Sequence, residues 1–209
     1  MSDYFYEPAV GHGLKHNPFK AIIAPRPIGW ISSVDGQGRV NLAPYSYFNA
    51  LCDNPPLLTF CTTGEKKDSL RNIEETGEFV ANLVGADLAQ AMNMTSASVA
   101  PGVNEFELAN LEAAPSTLVK PPRVAAAIAA MECKLTQIIQ LTDVKGQKID
   151  AWLTIGEVIG VHIKNEFIKD GIFDTAAARP LGRCGYRGDY VEVNKIFEMV
   201  RPKEYTGTI

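Results

Sequence analysis

The sequence predicts a mainly β protein with a few added helices, folded as an antiparallel barrel. Its β-rich segments come in pairs joined by DGQG at residues 35–38 and DVKGQK at residues 143–148, and both sequences have hairpin-turn chemistry. Few helical segments lie between these pairs, whereas a parallel sheet needs a crossover between successive strands. Gly156 and Gly160 interrupt the longest β-rich segment, and such glycines mark the bulges that a barrel requires.

The first half of the chain is predicted to hold four strands and one helix. Residues 1–25 are irregular and rich in Gly and Pro, so we expect an N-terminal arm that lies over the rest. Gly77 follows the predicted helix and is placed to end it. The strands are predicted at residues 28–34, 39–43, 55–63 and 78–84, and the helix from about residue 69 to residue 76.

The second half is predicted to hold two short helices and one long hairpin. The helices are expected at residues 86–96 and 104–111, and the hairpin strands at residues 131–142 and 149–163. The segment that follows is rich in Gly and Arg and ends in a short strand near residue 193. Because no repeat, low-complexity tract or linker divides the chain, we expect one domain over residues 1–209.

Composition argues against several classes of function. The net charge of −4 is unlike that of a general nucleic-acid binder, and the longest apolar run, residues 124–131, is too short to span a membrane. The first ten residues lack the pattern of a secretory signal. We therefore expect a cytoplasmic protein whose four cysteines are reduced. The three histidines form no cluster with cysteine, so no metal site is expected.

The stretch GEKKDSLRN, residues 64–72, places two lysines before Asp68 and Ser69 at the predicted start of a helix. Either Asp68 or Ser69 suits a plain N-terminal cap, which is the commoner arrangement. Free N–H groups at a helix start, together with a serine hydroxyl and Lys67, also suit a phosphate. The stretch by itself leaves both interpretations open.

Residues 25–60 combine small polar and aromatic side chains, and this mixture suits a flat heteroaromatic ligand that also needs hydrogen bonds. Arg26 lies between two prolines, which hold the chain extended and favour a fixed contact. The simpler alternative is a barrel hairpin followed by a loop. The polar residues are Ser32, Ser33, Ser46 and Asn49, and the aromatic residues are Trp30, Tyr45, Tyr47 and Phe48.

Together these segments resemble the flavin reductase-like family of FMN-binding split-barrel proteins. This family includes flavoredoxins and the reductase components of two-component flavin monooxygenases. The resemblance implies an antiparallel split β-barrel that binds FMN, usually at a homodimer interface. It covers roughly residues 17–193 and rests on RPIGWISSVDGQGRVNLAPYSYFNALCDNPPLLTF, KKDSLRNIEETGEFVANLV, ECKLTQII, GEVIGVHI and PLGRCGYRGDYVEV.

The resemblance also implies which residues bind the cofactor. On the isoalloxazine and ribityl side they are Arg26, Pro27, Ile28, Trp30, Ser32, Asn41, Ser46, Tyr47, Phe48 and Asn49. Near the ribityl phosphate they are Thr62 and Thr63, followed by Lys67, Asp68 and Ser69, which match the family's Lys-Asp-Thr/Ser. With this context, the phosphate of FMN becomes the favoured occupant of the helix start.

The end of the chain departs from the family pattern. It reads GRCGYRGDY, where many members have a leucine-glycine-glycine run, so the roles of Cys184 and Arg187 stay open. Arg183 and Tyr186 either reach the partner subunit's flavin or pack in the dimer.

The resemblance implies an NAD(P)H-dependent flavin reductase that passes reduced flavin or electrons to an acceptor, such as an oxygenase or another redox partner. GHGLKH and GQGRVN lack the full dinucleotide fingerprint, so NAD(P)H is expected to dock transiently over the flavin. Hydride passes directly between nicotinamide and flavin, so acid–base help is not strictly needed. His162, at a strand position that the family often fills with His, is the candidate for a catalytic role near the nicotinamide. A lone His on a strand is more often structural than catalytic. Two alternatives are a flavoredoxin-like electron carrier and a non-redox FMN-binding protein.

Overall fold

The computed structural model describes residues 3–100, 102–200 and 202 of the chain. The strands are β1 (Arg26–Pro27), β2 (Gly29–Val34), β3 (Val40–Tyr45), β4 (Phe48–Asp53), β5 (Pro56–Thr63), β6 (Glu78–Asn82), β7 (Ala113–Ala114), β8 (Arg123–Val124), β9 (Ala129–Thr142), β10 (Lys148–Ile163), β11 (Ile168–Lys169), β12 (Ile172–Phe173), β13 (Leu181–Arg183) and β14 (Tyr190–Glu192). The α-helices are α1 (Phe19–Ile22), α2 (Asp68–Thr76), α3 (Ala89–Met94), α4 (Glu105–Leu108) and α5 (Thr175–Ala178). Short 3₁₀ helices cover Ala86–Leu88 and Asn165–Phe167.

The main sheet has seven strands in the order β3-β2-β6-β9-β10-β5-β4, and every pairing in it is antiparallel. A smaller sheet, β1-β13-β14, pairs the end of the N-terminal arm with the end of the chain, and places Arg26 opposite Arg183. The predicted mainly β, antiparallel architecture is confirmed. Each of the six main-sheet strands predicted from the sequence lies within two residues of its predicted bounds.

The main sheet curls into a barrel because of one short connection. Strands β3 and β4 lie at opposite edges of the sheet, yet only Ser46 and Tyr47 separate them in sequence. The two edges must therefore approach each other. The ring of Tyr45 on β3 packs 4.9 Å from the ring of Phe60 on β5, which closes the interior at this point.

Two apolar cores lie on the two faces of β2, because successive side chains of a strand point to opposite sides. Ile31 faces the barrel interior and packs with Phe60, Phe79 and other buried residues. Trp30 faces outward and packs with Leu42 and with residues of α3 and α4. Full burial of such a side chain contributes about 1.5–3 kcal/mol, so both helices are held to the barrel by this outer core.

The predicted irregularity in β10 is confirmed. Its pairing with β9 shifts register between Ile155 and Gly156 and again between Val158 and Gly160. A Cβ atom at position 156 would collide with the ring of Phe79, which explains the glycine there. The long strand therefore bends where the barrel wall curves.

Three predictions differ from the structure. Residues 48–53 form the strand β4 rather than a loop, and all but the first of its residues are exposed, so no hydrophobic alternation marked it. The helix predicted at residues 86–96 starts as a 3₁₀ turn and becomes α-helical only at Ala89. Within the described part of the arm, residues 3–25, the one-turn helix α1 forms; residues 1 and 2 lie outside the described residues.

The described residues hold neither a membrane-spanning helix nor a clustered metal-ligand set. No helix among them is long and apolar enough to cross a membrane. No group of three or more His, Cys, Asp and Glu side chains in this part of the chain is placed to hold a metal ion.

Candidate functional site

A cleft with a volume of about 800 Å³ lies beside the end of β3, between α3 and the loop that joins β13 to β14. Four of the residues predicted to bind flavin line it together: Arg26, Ile28, Ser46 and Arg183. The volume falls within the range of ligand clefts, about 300–1,000 Å³. The structure thus brings together residues from three separate segments of the chain.

The lining of the cleft is cationic. Lys20, Arg26, Arg183 and Arg187 contribute four formal positive charges, and no Asp or Glu side chain of the described residues lines the cleft. A group of like charges in a concave surface creates a positive potential that attracts anions. The charge of the cleft therefore favours a phosphate-bearing ligand over a neutral one.

Arg26 is the buried member of this group, with 7% of its surface exposed. Its Nη1 atom donates to the carbonyl oxygens of Ile23 and Lys20, and its Nη2 atom donates to that of Cys184 at 3.0 Å. Its Nε atom is buried and has no hydrogen-bond partner among the residues that the structure describes. Because a buried cation without a carboxylate is costly, Arg26 also points to an anion as its missing counter-charge.

Aromatic rings frame the outer end of the cleft. The guanidinium carbon of Arg183 lies 4.4 Å above the ring of Tyr190, in the geometry of a cation–π contact. The rings of His16 and Tyr186 lie 5.6 Å apart at an angle of 51°. The N–H of Tyr186 donates to Asp189 at 2.9 Å, which holds the loop in shape.

Helix α2 begins without a side-chain cap. Its N-cap residue is Lys67, and no side chain there accepts a hydrogen bond from the first turn. The carboxylate of Asp68 forms an ion pair with Arg71 instead. The plain cap considered from the sequence is therefore not formed, and no side chain at the N-cap neutralises the positive end of the helix dipole. Gly77 ends the helix with φ of 71°, as predicted.

The two lysines before this helix differ in their surroundings. The Nζ atom of Lys66 lies 2.6 Å from a carboxylate oxygen of Glu74 and 5.9 Å from the ring centre of Trp152. Lys67 is exposed and forms no ion pair with any residue that the structure describes. Lys67 is therefore the lysine that is available to a phosphate at the start of α2.

Ser69 lies at the centre of a buried hydrogen-bond group. It is fully buried, and its Oγ atom accepts hydrogen bonds from Nδ2 of Asn41 at 2.8 Å and from the hydroxyl of Tyr45 at 3.0 Å. Burial raises the pKa of Tyr45 to about 12, so this hydroxyl stays protonated and donates. Ser69 thus joins α2 to β3, while Lys67, just before it, is exposed.

Strand β3 links the cleft to the start of α2. Its first half contributes Asn41 beside α2, and the residues around its end, Pro44 and Ser46, line the cleft. Five residues of a strand span about 17 Å. The two places therefore lie at the two ends of one edge strand.

The other predicted residues on β4 and β5 are spread over different environments. Tyr47 and Asn49 are exposed, and Phe48 is half-buried. Thr63 is exposed at the end of β5, whereas Thr62 is buried and its Oγ1 atom has no hydrogen-bond partner. These side chains do not line the cleft.

Trp30 and Ser32 are buried in the protein interior. Both have no exposed surface. Trp30 donates from Nε1 to the hydroxyl of Thr95 at 2.9 Å, and Ser32 donates to the carbonyl oxygen of Pro122. In this conformation neither side chain offers a surface to a ligand, whereas Pro27 is exposed next to Arg26.

His162 lies away from the cleft, and its Nε2 atom forms a hydrogen bond with the carboxylate of Glu132. The Glu132 carboxylate is fully buried and also accepts hydrogen bonds from the N–H groups of Thr117, Leu118 and Val119. Burial opposes ionisation of Glu132, but these hydrogen bonds and the one from His162 together lower its pKa. The contacts of His162 are those of a structural residue that helps to hold residues 117–119 against the barrel.

Several residues beside these two places were not predicted. Lys20, His16 and Ser96 line the cleft, but they come from segments without any local motif. Glu105 is buried beside β3 and accepts from the N–H of Leu42 at 2.9 Å. Burial raises the pKa of Glu105 despite that hydrogen bond. This burial could not be predicted from the sequence, because Glu105 is an acidic residue in the first turn of a predicted helix, and such residues are usually exposed.

A family model described as "Flavin reductase like domain" matches residues 23–181, which include the start of α2 and the part of the cleft formed by Arg26, Ile28 and the end of β3. The chain belongs to the flavin reductase-like family. This membership supports a flavin cofactor and a flavin-linked redox function. It also agrees with the split barrel that the sequence predicts, since the solved structures that match most fully have that fold.

Three solved structures resemble this flavin reductase-like chain. Nitrilotriacetate monooxygenase component B from Bacillus cereus has 32% identity and a TM-score of 0.81, over 89% of this chain and 98% of the other. The 2-nitrobenzoate 2-nitroreductase NbaA of Pseudomonas fluorescens has 27% identity and a TM-score of 0.78, over 90% and 92%. Flavoredoxin of Desulfovibrio vulgaris (Miyazaki F) has 19% identity and a TM-score of 0.72, over 88% and 94%; at this identity the likeness concerns the fold alone.

Proposed function

We propose that this protein binds FMN and acts as an NAD(P)H-dependent flavin reductase. One observation carries the proposal: strand β3 joins a cleft with apolar and polar walls to an open helix start beside Lys67. A flat ring with hydrogen-bonding edges suits the cleft, and a single phosphate suits the helix start. A flavin with one phosphate at the end of its ribityl chain has both parts.

The residues would divide the binding of FMN between them. Ile28 and Pro44 offer apolar surface to the ring, and the hydroxyl of Ser46 offers a hydrogen bond. Lys67, at the exposed start of α2, would hold the phosphate. Ser69, bonded to Asn41 and Tyr45, keeps the first turn of that helix in place. The orphaned Nε atom of Arg26 supplies positive charge at the cleft.

Bound FMN would accept a hydride from the nicotinamide and deliver electrons to an acceptor. The protein's part is to bind and orient the two molecules. It needs no acid or base for the hydride transfer itself. This agrees with the contacts of His162, which engage Glu132.

We also propose that the protein works as a homodimer with an oxygenase or another redox protein as acceptor. Strand β4 is an exposed edge strand, and exposed edges pair readily with a second chain. Residues 194–200 form no regular element, and Ile196, Phe197, Met199 and Val200 are largely exposed. An apolar segment of this kind suits a partner subunit. A monooxygenase component among the similar structures supports the choice of acceptor.

The first test is an absorbance spectrum of the purified protein, taken before and after anaerobic addition of NADPH or NADH. A yellow protein whose flavin bands bleach on addition would establish the cofactor and the activity. Flavin bands that bleach only with a reduced partner protein would favour the flavoredoxin-like carrier. A flavin that no donor reduces would favour the non-redox alternative. A colourless protein that takes up no added FMN would refute the proposal.

The dimer is tested separately by sedimentation. A monomer that still binds FMN would contradict the homodimer and leave the cofactor assignment standing.

A further inference from the structure

We infer that the outer rim of the cleft binds the phosphates of the nicotinamide dinucleotide and selects NADPH over NADH. The rim consists of Lys20, Arg183, Arg187, Tyr186 and His16, and we call it the cationic rim. The inference rests on the proposed function, because it assigns the phosphate of FMN to the start of α2. It adds a preference for NADPH over NADH as the hydride donor, which the family resemblance does not imply.

If the phosphate of FMN lies at the start of α2, the positive charges of the cleft have no phosphate of FMN to pair with. Three of the cleft's four formal positive charges belong to the cationic rim, and the fourth belongs to the buried Arg26. The pyrophosphate of NADH carries about two negative charges, and the 2′-phosphate of NADPH adds about 1.5–2 more at neutral pH. NADPH, with about 3.5–4 negative charges, therefore engages all three positive charges of the cationic rim, whereas NADH, with about two, leaves about one of them without a partner.

The turn that carries Tyr186 and Arg187 is held in one shape before any ligand arrives. Gly188 adopts a φ of 93°, which places a tight turn next to Arg187. The N–H of Cys184 donates to the carbonyl oxygen of Asp189 at 3.0 Å and closes this turn. Arg26 donates to the carbonyl oxygen of Cys184 and fixes the turn to the barrel. A fixed loop loses little conformational entropy when a ligand binds.

The rim residues differ in how they can contact a phosphate. Lys20 and Arg187 are exposed, so their charged groups are free to approach a ligand. Arg183 is half-buried and stacks on Tyr190, which limits its movement. A guanidinium group binds phosphate through two parallel hydrogen bonds, and we therefore assign the 2′-phosphate to Arg187, with Lys20 as its neighbour.

The rim also offers a surface to a nucleotide base. The ring of Tyr186 is 43% exposed and lies beside the ring of His16. Bases stack on exposed aromatic side chains of this kind. A cationic rim with an aromatic ring is thus matched to an adenosine phosphate, and it requires no Rossmann motif.

The test uses two probes that cannot donate hydride: adenosine 2′,5′-bisphosphate and adenosine 5′-monophosphate. Their affinities for the FMN-loaded protein are measured by isothermal titration calorimetry. We expect the bisphosphate to bind about tenfold more tightly, because it adds a charge-assisted contact. In the double variant Lys20→Gln/Arg187→Gln, affinity for the bisphosphate should fall about tenfold or more, and affinity for the monophosphate should fall less.

The matched control is Lys145→Gln, which removes a positive charge from the exposed turn between β9 and β10. It should leave the affinities for both probes unchanged. FMN affinity is measured for every variant and should be the same throughout. Equal binding of the two probes by the unchanged protein, or an equal loss in the control, would overturn the inference.

Two other outcomes separate this inference from the proposed function. If the double variant loses FMN affinity by the same factor as bisphosphate affinity, then the rim holds the flavin phosphate and the inference is wrong. If the protein takes up no FMN, the proposed function fails. The calorimetric titrations with the two adenosine probes are then carried out on the protein without FMN. Tighter binding of the bisphosphate there, lost in the double variant, would still support the rim as a site for 2′-phosphorylated nucleotides, and equal binding would refute it.

Discussion

Nδ2 of Asn41 donates a hydrogen bond of 2.8 Å to Oγ of Ser69, and this bond ties the edge strand β3 to the first turn of α2. Both residues are buried. Because of this bond, Ser69 and the nearby Lys67 have different roles. Ser69 holds the helix start in position, and the exposed Lys67 is available to a ligand there.

Substitution of Lys67 and of Ser69 should therefore give different results. Lys67→Ala removes a charge-assisted contact worth about 1.5–3 kcal/mol, so FMN affinity should fall about tenfold or more while the melting temperature stays unchanged. Ser69→Ala leaves the buried Nδ2 of Asn41 without an acceptor, and the free energy of unfolding should fall by about 1–3 kcal/mol. Fluorescence titration with FMN and chemical denaturation measure the two effects.

Lys66→Ala is the matched control for that experiment, since Lys66 already pairs with Glu74. It should change FMN affinity much less than Lys67→Ala does. Unchanged FMN affinity in the double variant Lys67→Ala/Ser69→Ala would rule out the start of α2 as the phosphate site.

Glu132 should make stability depend on pH. Because the pKa of Glu132 is lowered in the folded protein, its carboxylate stabilises the fold at pH values above its unfolded pKa, about 4.3. That stabilisation is lost as pH falls through the lower, folded pKa. The side-chain amide in Glu132→Gln cannot accept hydrogen bonds from three N–H groups and His162 as well as the carboxylate does. We therefore expect the free energy of unfolding to fall by about 1–3 kcal/mol at pH 7. Urea denaturation at pH 7 and at several values below pH 4.5 measures both effects.

The variant Glu132→Gln should also lose less stability than the unchanged protein between pH 4.5 and pH 3. His162→Gln is the comparison, because it keeps the carboxylate and its three backbone donors. It should reduce the acid dependence only in part. An identical acid dependence in Glu132→Gln and the unchanged protein would show that this carboxylate has no such role.

Gly156→Ala should destabilise the barrel. Its added Cβ would collide with the ring of Phe79 and lie 3.3 Å from Cβ of Cys133. Overpacking of a core costs about 1–3 kcal/mol, and thermal unfolding followed by circular dichroism measures the loss. In the double variant Gly156→Ala/Phe79→Leu, the loss of stability should be smaller than the sum of the losses in the two single variants, because the two residues touch. Strict additivity would argue against a steric cause.

The cysteines should differ sharply in reactivity toward a thiol reagent such as dithionitrobenzoate. Cys52 is exposed and should react within the first phase. Cys133 is fully buried, and burial raises the pKa of its thiol strongly, so it should react only after unfolding. Cys52→Ser should abolish the first phase. Rapid modification of Cys133 in the native protein would contradict this assignment.

Much of the main sheet was predictable because its determinants are local. The strands on either side of DGQG and DVKGQK were predicted from turn chemistry and β-rich composition, and both hairpins form. Gly77 ends α2 because only its backbone adopts the left-handed conformation easily, and this requirement is visible in the residue itself. Strand β4 was missed because its exposed edge position leaves no hydrophobic alternation to read.

The assignment of polar residues to surfaces could not be predicted in the same way. Ser32 and Ser46 occur in similar polar and aromatic surroundings in the sequence, yet Ser32 is fully buried and Ser46 lines the cleft. Lys66 and Lys67 are neighbours, and only Lys66 has an acidic partner nearby. These differences depend on which distant segment packs against each residue.

The antiparallel barrel, its main hairpins and the family of the chain could be predicted from the sequence, because turn residues, periodicity and motif order act over short stretches. The grouping of Arg26, Arg183, Arg187 and Lys20 in one cleft is visible only in the folded chain. The contact of His162 with a buried carboxylate is also visible only there. Such groupings arise when long-range strand pairing, such as that of β1 with β13, brings remote segments together. No local pattern encodes that pairing, because its energy comes from burial and hydrogen bonds formed only in the complete fold.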